Sequence, residues 1–126
     1  MLKILTGFPD NVLAAEWRGD VSAEDYRTVL VPAAEAKIRQ HKHLRLFAVI
    51  GPSFSGISAG AMWEDAKIGI GHWGDWGRIA VVTDIGWIRD SAKLFAPLFH
   101  HPMRTFAYAD LAAAKAWISE AESKAA

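Results

Sequence analysis

Two glycine-framed motifs and a few histidine clusters are the parts of this sequence whose residue types and spacing could do chemistry. Gly56-Ile57-Ser58-Ala59-Gly60 has the G-x-S-x-G spacing of a nucleophile elbow, a sharp strand-to-helix turn that presents a serine Oγ to a base. In an elbow the serine follows the strand end at once, whereas here residues 51–56 intervene as a loop, and 126 residues is short for the sheet such hydrolases use. The histidines that could serve as the base, His72, His100 and His101, sit in no motif that would bring them to Ser58. Two other roles suit these serines. Ser55 or Ser58 can cap the helix that follows, or that helix start, with its free N–H groups and hydroxyls, can receive an anion or a phosphoryl group.

Gly69-Ile70-Gly71-His72-Trp73-Gly74 spells G-x-G-x-x-G. A dinucleotide loop needs those glycines after a strand and before a helix, so that the helix N-terminus faces the pyrophosphate; here a helix ends and a strand begins. The segment reads instead as a helix C-cap with glycines at positive φ. His41-Lys42-His43 and His100-His101 lack the i, i+4 spacing and the carboxylate partners of a metal site. With no cysteine, thiol, disulfide and iron–sulfur chemistry are excluded, and no cofactor or metal is expected. Lys37, Arg39, Lys42 and Arg45 against Glu35 form a local basic excess, a solvated helix end or a place for an anionic headgroup.

The elements that must position these residues follow from composition and pattern. A chain of 126 residues, 52% apolar and 22% charged, suits one globular domain. No run reaches the ~18 apolar residues of a membrane span. Fourteen basic residues balance fourteen acidic ones, which leaves no global pull toward nucleic acid. The apolar start, residues 1–5, is too short for a signal-peptide core, so a cytoplasmic location is expected. Residues 2–6 and 12–18 flank a cluster of turn formers and read as an antiparallel hairpin. Ser22 and Asp25 resemble a capping box, and Tyr26, Val29, Leu30, Ala33, Ala34 and Ile38 recur at helical spacing, with a kink or restart near Val31 because Pro32 removes a hydrogen bond. Residues 44–50 suit a buried central strand, and 51–60, rich in glycine and serine, a loop. A second helix from Ala61 carries Met62, Trp63, Ala66 and Ile70 on one face; a strand follows at 78–83, a third helix at 85–99, a strand at 103–108, and a last helix capped by Asp110 with Leu111, Ala114, Ile118 and Ala121 inward. The order ββαβαβαβα implies a single α/β domain with a mixed five-stranded sheet and about four helices.

The third helix holds more apolar surface than one packing face can use. Ile88, Ala92, Phe95 and Phe99 form one stripe, and Trp87, Leu94 and Leu98 a second; Pro97 invites a kink near its end. A neighbouring helix, a second subunit or an apolar ligand could cover the surplus. Of the six tryptophans, Trp63, Trp73, Trp76 and Trp87 fall in or beside the second and third helices, as pocket lining or as plain core.

This pattern, with Leu46-Phe47-Ala48-Val49-Ile50 and the stretch from Gly69 to Trp73 leading into Arg78-Ile79-Ala80-Val81-Val82-Thr83-Asp84 and Trp87, resembles the SpoIIAA-like bacterial proteins over nearly the whole chain. The resemblance implies a STAS-like, CRAL-TRIO-like fold. In STAS antagonists a serine in an Asp-Ser-Ser-Gly-like loop at a helix start is phosphorylated by a partner kinase. Ser53-Phe54-Ser55-Gly56-Ile57-Ser58 occupies that place without the aspartate, which makes Ser55 and Ser58 the serines to test. CRAL-TRIO domains take lipophilic molecules between sheet and helices.

The expectation is therefore a non-enzymatic cytoplasmic domain binding an apolar or amphipathic, lipid-like molecule beneath the second and third helices, with Trp63, Trp73, Trp87, Phe95, Leu98 and Phe99 as lining. The alternative is a regulatory or interaction module of STAS type, acting through a homodimer or through a partner at the 51–60 loop.

Overall fold

The first strand, β1 (Leu2–Ile4), and the second, β2 (Val12–Val21), pair antiparallel with Leu2 opposite Trp17. The computed structural model describes residues 1–71, 73–98 and 102–120. The turn between the strands passes through Gly7 at φ 86°, a left-handed conformation that a side chain would strain. Three strands then add in parallel: β3 (Leu44–Ile57) on β2, β4 (Trp76–Thr83) on β3, and β5 (Met103–Phe106) on β4. The sheet order is therefore β1-β2-β3-β4-β5, mixed only at its β1 edge.

Helices cover the two faces unequally. On one face lie α1 (Ala23–Asp25), a π-helical turn at Tyr26–Leu30, α2 (Val31–Ile38), α3 (Ala59–Gly71) and α4 (Gly86–Phe95). Tyr26, Leu30, Ala34, Ala61 and Ile68 pack there on Leu13, Ala15, Trp17, Ala48 and Ile79. Among the described residues the α-helix on the other face is α5 (Leu111–Ser119), which sets Ala114 and Ile118 on Val12, Phe47, Val49, Ala80 and Val82. These nine residues leave part of that face, toward β1, without a helical cover among the described residues.

The first helical run behaves as its residues dictate. Ser22 and Asp25 form the reciprocal capping box, and the wider π turn resolves into regular helix at Val31, with Pro32 in the first turn, where its missing N–H costs nothing. Four sequence expectations need correction. Residues 51–57 are not a loop: β3 runs on to Ile57, because its end pairs with the end of β2, Gly19 against Phe54 and Val21 against Ile57, across a register shift. Of the face of α3 expected to turn inward, Met62 and Trp63 stand in solvent and Ala66 is partly buried, the Ile70 side chain lies outside the described residues, and the buried positions are Ala61 and Ile68. Among the described residues the positive-φ glycines are Gly7 and Gly19, not those of 69–74. Asp110 precedes α5 without a side-chain cap hydrogen bond; Leu111 is partly open, and Ala121 lies outside the described residues. The third helix also changes character, passing at Ala96–Leu98 into a 3-10 turn through Pro97.

Candidate functional site

The described residues give both glycine motifs structural roles. Ser58 stands just before α3 and accepts from the Ala61 N–H at 3.0 Å, so its oxygen serves as the helix cap. Ser55 stands on the β3 extension, exposed, and donates to Asp20 Oδ1 at 3.1 Å. His72, His100 and His101 lie outside the described residues. Gly71 ends α3, a 3-10 turn spans Trp73–Asp75 and β4 begins at Trp76, so among the described residues no α-helix starts after these glycines.

The basic excess at 37–45 divides. Lys37 and His41 both reach Asp10, at 3.4 and 2.9 Å, and the His41 hydrogen bond, aided by Lys37, holds the Asp10 carboxyl below its ordinary value. Arg45 is not solvated at all. It is buried and donates Nη1 to the carbonyls of Ile118 and Glu120, at the C-terminal end of α5. Among the described residues no cluster of three metal-ligating side chains occurs.

Of the six side chains named as ligand lining, four can be placed. Trp63, Trp87, Phe95 and Leu98 are 65%, 56%, 52% and 56% exposed, and Leu94 beside them is 73% exposed. Phe99 and the Trp73 side chain lie outside the described residues. These four stand on the outer surface of α3, of α4 and of the turn after α4. Of the first stripe expected from the sequence, Ile88 and Ala92 pack on the core, Phe95 instead stands open with the second stripe, and Phe99 lies outside the described residues. Trp17 and Trp76 are core residues; the Trp76 Nε1 is buried without a partner among the described residues.

Of two cavities among the described residues, neither is lined by any of those four side chains. One, of about 210 Å³, lies between α2 and α3 and holds Glu64, already paired with Lys67 at 3.2 Å. The other, of about 530 Å³, lies on the α5 side of the sheet, over Phe8, Phe47 and Val49, with Lys3, Glu16, Arg18, Tyr108 and Lys115 at its walls. Tyr108 can lie there because residue 51 is glycine: a Cβ at Gly51 would meet Tyr108 Cε1 at 2.8 Å.

A buried polar chain runs through the helical side of the core. Trp17 Nε1 donates to the Tyr26 hydroxyl at 3.1 Å, and that hydroxyl donates to Asp65 Oδ1 at 3.1 Å. Burial, and then the Asp65 charge, push the Tyr26 phenol far up, so it stays a neutral donor. Surrounding protein also pushes Asp65 up, against the lowering effect of the Tyr26 hydrogen bond, although the residue keeps an open surface on α3 that tempers the effect. The folded state therefore holds the extra proton between the unfolded and folded Asp65 values, and Asp65's contribution to stability falls as pH rises through that interval. Tyr26→Phe strands the Trp17 donor and should lower stability by about 1–3 kcal/mol, read from urea unfolding midpoints. A loss under about 0.5 kcal/mol would mean that this chain is no tie between β2 and α3.

A family model described as SpoIIAA-like matches residues 12–119. Among solved structures, the chain is similar to an uncharacterized protein of the DUF3478 family with a SpoIIAA-like fold from Shewanella loihica PV-4. The two share 22% identity and a TM-score of 0.65, over 84% of each chain. No curated protein matches the chain.

Proposed function

The chain belongs to the SpoIIAA-like family, and from that premise we propose that it is a cytoplasmic, non-enzymatic interaction module whose contact surface is the outer face of α4, covered by a second copy of the same chain. The observation that carries this reading is the exposure of Trp87, Leu94, Phe95 and Leu98 within one short segment. Each large apolar side chain left in water forgoes about 1.5–3 kcal/mol of burial, and a contiguous patch of them is the mark of an interaction surface.

A second copy suits this face in charge as well as in chemistry. The net charge is zero, so no long-range repulsion opposes association. The helix itself carries Arg89, Asp90 and Lys93, a net charge of +1, so its pairing rests on the apolar side chains, with Asp90 the one carboxylate each copy offers the other's basic residues. Met62 and Trp63, on α3, are exposed as well. A lipid-like guest at these residues would have to lie on open surface rather than in an enclosed pocket. Ser55, whose hydroxyl donates to Asp20 Oδ1, and Ser58, whose oxygen caps α3, are both exposed and are the two serines a phosphorylation switch would use.

Sedimentation equilibrium tests the reading. The wild type should associate to a dimer, and Leu98→Asp should weaken that dimer at least about a hundredfold, because two leucines are removed, each worth about 1.5–3 kcal/mol. A wild type that stays monomeric at millimolar concentration would remove the second copy as the occupant.

A further inference from the structure

We propose that the cavity on the α5 side of the sheet is a binding site for an amphipathic organic anion, a molecule with one carboxylate- or phosphate-type head and an apolar body. Its volume of about 530 Å³ falls within the usual span for small-molecule sites, about 300–1,000 Å³. Its floor is apolar and aromatic. Phe47 and Val49 face it from β3, and the Phe8 ring stands 4.7 Å from that of Phe47. The Gly7 turn folds Phe8 over this floor.

The rim has the opposite character. Lys3, Arg18 and Lys115 line it against the single carboxylate of Glu16, which is already engaged by Arg18 at 2.7 Å. Lys3 and Lys115 have no carboxylate within ion-pair distance among the described residues. Lys115 instead arches over the Phe8 ring, 4.8 Å from its centroid, which places an ammonium directly above the apolar floor. The Tyr108 ring completes the wall. An anionic head gains both lysines as charge-assisted donors while its apolar body displaces water from the partly open Phe8 ring that covers Phe47. A neutral hydrocarbon would gain only the second of these. The site lies on the sheet face opposite α4 and stands independently of the dimer reading.

The test is titration of the full chain with decanoate below its micelle concentration, followed by amide NMR. Shifts should fall on Phe8, Phe47, Tyr108 and Lys115. Decanol, with the same body and no charge, should bind at least about tenfold more weakly, as loss of a charge-assisted hydrogen bond implies. Lys115→Glu, at an exposed position, should keep the native spectrum and bind decanoate at least about tenfold more weakly; Lys3→Glu on the opposite rim is the second variant. Phosphatidylglycerol vesicles form a second arm. The same shifts with vesicles identify a lipid headgroup as the source of the anion, and shifts with decanoate alone identify a free one. Shifts confined to Trp87 and Leu98, equal affinity for decanol, or charge-reversed variants that bind like wild type would each overturn the proposal.

Discussion

Truncating Phe47 to alanine is expected to cost the domain about 3–5 kcal/mol, a large part of the stability of about 5–15 kcal/mol that a domain of this kind has. Phe47 is 1% exposed at the middle of β3. Its neighbours in register are small, Ala14 on β2 and Ala80 on β4, so the ring fills the width of three strands. Alanines cannot swell into the space that its removal leaves, and the α5 side chains above are held by their own helix. Loss of transfer energy and retention of the void therefore add. The denaturant midpoint should fall with an unchanged slope, since the native and unfolded surfaces stay nearly the same. A loss below about 1 kcal/mol would mean that α5 settles onto the sheet, contrary to a face held open beside it.

The second large effect belongs to Arg45. Arg45→Met keeps most of the side-chain volume and should still cost about 2–3 kcal/mol, because a charged donor leaves the buried carbonyl of Ile118 and the part-buried one of Glu120 without their partner. These are among the carbonyls that a helix end cannot satisfy by itself, and the charge complements the negative end of the helix dipole. Arg78 supplies an instructive contrast. It too reaches the end of α5, at Trp117 O and Glu120 Oε1, and stacks on Trp117 at 5.2 Å, but it is only partly buried. Solvent screens such contacts, so Arg78→Met should cost about 1 kcal/mol or less. Hydrogen exchange along α5 separates the two: rates should rise strongly in the Arg45 variant and little in the Arg78 variant. Equal rises would contradict the assignment of Arg45 as the anchor.

Much of the architecture was legible because its signals are local. The capping box at Ser22 and Asp25, the restart at Val31 before Pro32, and the apolar run 44–50 each depend on residues within a few positions of one another. The strand from 51 to 57 was not legible, because Gly51, Pro52, Ser53 and Gly56 have turn chemistry and are held extended only by the far end of β2. The inward face of α3 was misread for a related reason. Met62 and Trp63 are the larger side chains, but Ala61 and Ile68 fit the close approach to the first helical run, and size yielded to geometry. The surplus apolar face of the third helix was visible in its two stripes; whether it was pocket or surface was not. Neither the Trp17–Tyr26–Asp65 chain nor the cavity has a sequence signal of its own. Tyr26 and Asp65 are 39 positions apart, and Phe8, Phe47, Tyr108 and Lys115 meet only when the sheet and α5 have formed.

The central claim, that α4 meets α4 of a second copy, can be tested by exploiting the absence of cysteine from the chain. Leu94→Cys puts a single thiol on the exposed face of α4, and Ala113→Cys puts one on the exposed side of α5. Mild oxidation at micromolar concentration should convert the Leu94→Cys protein to a covalent dimer and leave Ala113→Cys monomeric, because a two-fold contact brings a residue near its own counterpart. A Leu94→Cys protein that stays monomeric, or that cross-links no faster than Ala113→Cys, would contradict the account.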